Sequence, residues 1–426
     1  MNENEKKRSG VETTTLTQVA PEEKKGWIEM AFLHAGVMIS VPSMLIGGLL
    51  ASAMPLTQAL LAGCIGYALV IVFTCLGGME GSDLSVPACV ILQSSYGKAG
   101  SRYLNSLFFT ISMLGWFGVN TAVCGSAFTN LMANSFGIHV PEVVSILIWG
   151  TIMLVTAVYG INAIGKINTL AVPALLIVCV VGCYLALRNN GTANLNAQTE
   201  TTMTLVQGIT LTTGFMSMQT MTVADFSRYQ KNRGDTLKST VFGVLPAGIL
   251  MLVIGILMAK AVGQYDVSQV LCDVGLPILG MVVLILAAWT TNTSNAYLAG
   301  INLVNILKLK DEKRAMVTLI AGAIGTILAV LGIMNQFEGF ITWLGAAFAP
   351  MGGVMLSDYW LLRKGTASKW EPVEGFVWYG IISWLAGFVM NIFVTDGLVL
   401  VQSIALSGLL YYVLCKALKK DASLLS

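Results

Sequence analysis

HAGVMISVPS, His34 to Ser43, lies inside an apolar run from Trp27 to Met54, yet no helix passes through it unbroken. Pro42 lacks an N–H and clashes with the carbonyl four residues back, leaving carbonyls free near residues 37 to 39. Gly36, Ser40 and Ser43 add small and polar groups at what would be mid-membrane depth. Free backbone and polar side chains at that depth are tolerated only around a buried site or a cavity. A second interruption is TTGFMSMQTMTVADFSRY, Thr212 to Tyr229, where Gly214, Ser217, Gln219, Thr220 and Thr222 thread through another hydrocarbon run. Gly36 and Gly214 stand 178 residues apart. Two spans after each break comes a polar helix with a tryptophan, Trp116 and Trp289, which are 173 apart. Five spans per half reverse the orientation of the second half, so the pattern predicts an inverted repeat with two further spans at the C-terminal end.

The rest of the chain supports a membrane reading. Of 426 residues, 55% are hydrophobic and 11% charged, with a mean hydropathy of +0.76, outside the range of a soluble domain. Runs long enough for a ~30 Å hydrocarbon core fall at 27–54, 57–77, 104–132, 141–160, 167–187, 204–224, 239–262, 276–306, 315–333, 337–360, 375–394 and 397–417, predicting twelve transmembrane helices. With the N-terminus inside, 22 of the 24 basic residues fall on the cytoplasmic side, leaving only Arg188 and Lys260 outside. A wrong span count would scramble that asymmetry, so both termini are expected in the cytoplasm.

The organisation follows. Residues 1–25 read as a disordered cytoplasmic tail without a signal peptide, 26–187 as helices 1–5, 204–360 as helices 6–10, 375–417 as helices 11–12, and 418–426 as a second tail. The fold class is an all-α integral membrane protein of the cell inner (plasma) membrane. The net charge of +2 reports topology, not a nucleic-acid partner. The eight cysteines are scattered and show no metal-ligand spacing. No loop is long enough for a soluble domain, so the work is done within the bilayer, most simply as a secondary transporter with a monomer sufficient for transport. GINAIGKI (160–167) lacks the Ser/Thr of a phosphate-binding loop and a preceding strand, and no hydrolase signature appears, so neither an ATPase nor an enzyme is expected.

Three constellations carry the chemistry. AAWTTNTSNA (287–296) places the adjacent hydroxyls of Thr290 and Thr291 in the helix that the repeat singles out. With carbonyls freed between Gly36 and Ile39 they supply the hard oxygens that Na⁺ requires, although a lone membrane threonine more often bonds its own helix. Trp116, with Asn120 one turn later, and Phe215 beside Gly214 offer two aromatic planes. Asn120, Ser217, Gln219 and Asn295 add donors and acceptors, which suits a flat, polar-edged heterocycle. Asp225 beside Arg228 ends the sixth span as an ion-paired lock or gate, or as a proton carrier; Glu29 and His34 are further ionisable candidates.

MLGWFGVN (113–120), GFMS (214–217), ADFSRY (224–229), WTTN (289–292) and FITWLGAAFAPMGGVMLSDYWLLRK (340–364) together resemble the nucleobase–cation symporters, in particular the cytosine permease and purine-cytosine permease branch. The resemblance spans all twelve runs and implies the leucine-transporter fold, with discontinuous helices 1 and 6 and alternating access. It also implies a base held between Trp116 and Phe215, with Ser217, Asn120 and the Gly214 backbone at its rim. For sodium it implies the Thr290 and Thr291 hydroxyls and the carbonyls of Ala287, Gly36 and Ile39. Met113 and Ala287 stand where cytosine permeases carry a Gln and an Asn, and the segment between GFMS and ADF is one residue longer. Lost rim groups change which hydrogen bonds a ligand can satisfy, at ~1–3 kcal/mol for each one left unpaired.

The expected function is Na⁺-coupled import of a nucleobase such as cytosine or a related purine or pyrimidine, with no cofactor beyond the coupling ion. The alternative is an H⁺-coupled permease for a pyrimidine vitamin precursor or an allantoin-like compound.

Overall fold

The computed structural model describes residues 18–159, 161–191, 193–196, 201–309, 313–394 and 396–417. The described residues are predominantly helical. The principal elements are α1 (Trp27–Met38), α2 (Val41–Ala53), α3 (Leu56–Leu84), α4 (Gln93–Gly100), α5 (Ser106–Phe136), α6 (Glu142–Tyr159), α7 (Ile161–Asn190) and α8 (Leu205–Met216). They continue with α9 (Gln219–Ser227), α10 (Arg233–Val262), α11 (Val267–Asp273), α12 (Pro277–Leu307), α13 (Arg314–Val330), α14 (Phe337–Leu356), α15 (Trp378–Phe393) and α16 (Val399–Ala417). Among the described residues, seven helices are long and apolar enough to cross a membrane, eight if the bent pair α1 and α2 is one span; the apolar helices over Glu142–Ala157, Ala315–Val330 and Trp378–Phe393 are shorter.

Both breaks have a local cause. At Ile39 the backbone leaves the helical region (φ −75°, ψ 78°), and α2 departs from α1 at 53°. The N–H of Ser40 turns to the Met38 carbonyl at 2.9 Å instead of the Gly36 carbonyl it would meet in a continuous helix. Pro42 has no N–H to give Met38, and the Ser43 hydroxyl donates there at 2.8 Å in its place. Between α8 and α9 the dihedrals of Ser217 and Met218 stay helical and the interruption is a tightening of the ladder, in which the Gly214 carbonyl accepts both the N–H (3.2 Å) and the hydroxyl (2.7 Å) of Ser217.

The helices sort into groups by contact. The long α10 packs on α1, α2 and α3, and α3 packs on α8 and α9. A second group joins α12 to α5, α6, α7 and α13, while α14, α15 and α16 pack on one another. The first group is drawn together by glycines: a Cβ at Gly47 of α2 would lie 2.2 Å from the Leu252 carbonyl oxygen of α10, and one at Gly255 would lie 2.3 Å from that of Met44. Close backbone approach replaces the hydrophobic drive that lipid does not supply.

The tip of α8 is fixed by a capping box: Thr204 N–H donates to Gln207 Oε1 at 2.8 Å, and Gln207 N–H returns to Thr204 Oγ1 at 3.2 Å. Thr204→Ala is expected to cost ~1 kcal/mol, read as a lower midpoint of thermal unfolding in detergent; an unchanged midpoint would show that the box contributes nothing.

Some expected boundaries are corrected. The second span does not stop at residue 77 but runs to Leu84, because Gly77, Gly78 and Gly81 let its end fit against α9 and α10. The helix expected from residue 375 starts at Trp378. Residues 18–25, grouped with the tail by composition, are laid across the ends of α3 and α9. Val19 is buried and its N–H donates to the Ser85 carbonyl at 2.9 Å; Lys24 Nζ reaches the Arg228 carbonyl at 2.8 Å; the Lys25 N–H reaches that of Tyr229 at 2.7 Å. The expected tails at 1–17 and 418–426 lie outside the described residues.

Candidate functional site

Trp116 projects from the middle of α5 toward the break between α8 and α9. Its ring meets Phe215 at a centroid distance of 5.8 Å and an interplanar angle of 77°. Phe340 (5.3 Å, 76°) and Phe337 (6.2 Å, 73°), from the first turn of α14, also contact it edge to face. A heterocycle stacked between two parallel rings needs them ~7 Å apart, twice a van der Waals contact. The Trp116–Phe215 pair is closed in this conformation, and the turn bearing Phe337 and Phe340 covers it. Those two phenylalanines are absent from the sequence reading, although their spacing of three residues at a helix start was visible.

Asn120 is 1% exposed, donates to the Trp116 carbonyl at 2.9 Å, and leaves its Oδ1 buried with no hydrogen-bond partner among the described residues. A buried acceptor left unmatched costs free energy unless something fills the gap. Ser217, fully buried, satisfies itself on Gly214, and Gln219 is half-buried at the start of α9. Met113 is buried in a cluster with Ala299 and Ala321 against which Trp116 and Met218 pack. Polar atoms are thus sparse on this side of the ring. Asn295, one turn before Ala299, donates to Asn292 Oδ1 at 3.2 Å, and Asn292 bonds in turn to the Phe117 carbonyl and Thr121 Oγ1, both at 2.9 Å. Asn295 therefore belongs to a brace that ties α12 to α5.

The oxygens of the expected sodium site divide into two sets. Thr290 Oγ1 and Thr291 Oγ1 both donate to the Ala287 carbonyl, at 3.0 Å and 2.9 Å, which gathers three oxygens on one turn of α12. The Gly36 carbonyl, released by Ser40, and Ile39 at the break form the other set; α12 touches the first span through α2. No hydrogen bond joins the two sets among the described residues. Trp289, the repeat partner of Trp116, is a brace: its indole N–H donates to Thr156 Oγ1 at 2.9 Å and its ring leans on Trp149 at 5.9 Å.

At the far end of the sixth span, Asp225 Oδ1 accepts the Ala88 N–H at 2.9 Å. Arg228, 6% exposed, sends Nε to the Asp225 backbone carbonyl at 3.1 Å and lies over the Tyr229 ring. Asp225 thereby fastens α9 to the turn that follows Pro87. Glu29 forms an exposed pair with Lys25, and His34 is buried against Phe226 with its Nε2 unpartnered.

Comparison with known proteins agrees with this architecture. Residues 18–414 match the family described as permeases for cytosine/purines, uracil, thiamine and allantoin. The cytosine permease of Escherichia coli (strain K12) is 30% identical over 356 residues, covering 81% of this chain and 80% of the relative. The hydantoin permease of Microbacterium maritypicum is 24% identical over 436 residues, covering 92% and 86%. Among solved structures, Mhp1, a nucleobase-cation-symport-1 family transporter in a closed conformation with bromovinylhydantoin bound, superposes with a TM-score of 0.79 at 19% identity, covering 98% of this chain and 97% of the other. That likeness establishes the leucine-transporter fold and, with the family match, a transporter in place of an enzyme. The chain is a member of the nucleobase–cation symporter family of cytosine, purine, uracil, thiamine and allantoin permeases.

Proposed function

We propose that the protein imports a nucleobase such as cytosine, or a related purine or pyrimidine heterocycle, by Na⁺ symport. The observation that carries the substrate class is Asn120 Oδ1, buried and unpartnered one turn from Trp116 at the break. A flat ring with an N–H at its rim supplies both the stacking partner and the missing donor. The similarity to cytosine and hydantoin permeases supports a ring of that size and polarity. Phe215, Ser217, Gly214, Gln219 and Asn295 would complete the surroundings, with Phe215 and the Phe337–Phe340 turn moving to admit the ligand. Met113 and Ala287, in place of amides, favour a ligand with fewer polar edges than cytosine presents.

For the ion, the three oxygens of Ala287, Thr290 and Thr291 and the released carbonyls of Gly36 and Ile39 match the hard ligands of Na⁺. Bringing α12 and the first break together around the ion would order the neighbouring heterocycle site, so each ligand would raise the other's affinity by the same factor. Twelve spans with both termini cytoplasmic agree with the placement of the basic residues; the reading takes the inner membrane as the location and a monomer as sufficient for transport.

Thermal stabilisation of the purified protein by a panel of pyrimidines, purines, hydantoins, allantoin and vitamin precursors, in NaCl and in choline chloride, tests the proposal. A shift for one heterocycle that requires Na⁺ is expected, and Thr290→Val with Thr291→Val should abolish the Na⁺ requirement together with the shift it supports. A shift equal in choline would move the coupling to protons, the alternative in which Asp225 or His34 carries the charge. No shift for any heterocycle would overturn the substrate class.

A further inference from the structure

Glu80 stands near the end of α3, 1% exposed, with neither carboxylate oxygen hydrogen-bonded to a partner among the described residues. It lies one turn before Asp83 on the face that meets the turn over Ser357–Leu362, where Trp360 Nε1 donates to the Leu76 carbonyl. Charge around it is already matched. Asp83 accepts Arg233 at 2.7 Å and the Tyr359 hydroxyl at 2.5 Å, and Arg233 also lies over the Trp360 ring. Asp358, 2% exposed, accepts Arg363 at 2.9 Å, the Tyr411 hydroxyl at 3.0 Å and the Ser94 hydroxyl at 2.7 Å. Each arginine thus has its carboxylate, and Asp225 on the adjoining α9 is turned to Ala88. The charged groups near enough to act on Glu80 are Asp358, Asp83 and Arg363, two negative and one positive.

We propose that Glu80 is a proton-binding site, occupied while the end of the bundle carrying residues 18–25 and the close of α16 is shut, and emptied when that end opens. A carboxylate shut away from water without a hydrogen-bond donor, beside two other carboxylates, is the costliest arrangement of this group; a bound proton removes the charge and needs no metal. The cluster holding it joins α3, α10, α16 and the turn after α14, so their separation is what would admit water. The proton then leaves Glu80 for bulk water, and the carboxylate that remains is stabilised by solvent and by Arg363. Protons bound on closure and released on opening make alkaline conditions favour the open end and acid conditions the closed one. This goes beyond sodium coupling, and its test needs neither a substrate nor sodium.

The experiment is infrared spectroscopy of the full chain in lipid nanodiscs at about pH 7, comparing wild type with Glu80→Gln. The carbonyl stretch of a protonated carboxylic acid should be present in wild type and lost in the variant. Identical spectra in that region would overturn the proposal. Hydrogen exchange of residues 76–90, compared between the two proteins from about pH 6 to about pH 9, reads the opening, since intrinsic exchange cancels in the ratio. Wild type should exchange several-fold faster than the variant at the alkaline limit, and a ratio constant with pH would overturn the link to opening. Should Glu80→Gln fail to fold, the wild-type carboxylic acid band alone decides: its absence at neutral pH overturns the assignment.

Discussion

Trp116→Ala is expected to weaken heterocycle binding by ~5- to 150-fold, the loss of one stacking platform worth ~1–3 kcal/mol. The indole is half-buried and touches Phe215, Phe337 and Phe340 edge to face at 5.3 to 6.2 Å. Part of the loss will be packing, because alanine leaves a space among three phenylalanines. Trp116→Phe separates the two effects: it keeps an aromatic face and most of the volume, and should retain binding within about tenfold. Isothermal titration with the heterocycle identified by thermal shift measures both variants, and Na⁺-dependent stabilisation in the absence of the heterocycle should persist in both. Unaltered affinity in Trp116→Ala would move the substrate away from the break.

Gly77→Val is expected to have the largest effect on folding. A Cβ at this position would lie 2.0 Å from the carbonyl oxygen of Thr220, a backbone atom that no rotamer change can remove. The two helices must separate or the residue must distort, and either disturbs the second broken span where it rests on α3. Overpacking in a tight interior costs ~1–3 kcal/mol and more where the obstacle is backbone. The readout is the yield of monodisperse protein and its unfolding midpoint. Gly26→Ala is the control, since nothing lies within 4 Å of its added Cβ, and it should remain within about 0.5 kcal/mol of wild type. If Gly77→Val matched that control, α3 and α9 would not be in the contact described.

Much of the fold was legible because lipid imposes strict rules on sequence. Helices announce themselves by long apolar runs, and Pro42 or the Gly214–Ser217 pair disturbs such a run for reasons of hydrogen bonding alone. Tertiary partnership was harder to read. Trp116 and Trp289 occupy matching places in the repeat, yet one faces the break and the other braces Thr156, a difference set by which helix happens to lie opposite. Thr290 and Thr291 do bond their own helix, as isolated threonines do, but both choose the same carbonyl, and only coordinates reveal that convergence. Glu80 was missed because hydropathy falls after residue 77, and a helix continuing through polar residues is held by glycine contacts with other helices, not by apolar content. The order of residues 18–25 was hidden for a related reason: most of its hydrogen bonds to the helix ends are to backbone carbonyls, which carry no sequence signal.

Among the described residues, the segment from Gln18 to Lys25 bonds to Leu84, Ser85, Arg228 and Tyr229, which end α3 and α9, and through Lys25 to Glu29 of α1, all within a single packing group. It is therefore a lace that ties one block to itself, leaving the seam between blocks unsewn. If the groups slide during transport, the lace travels as cargo of one of them. Cutting it would fray that block without unlatching the passage.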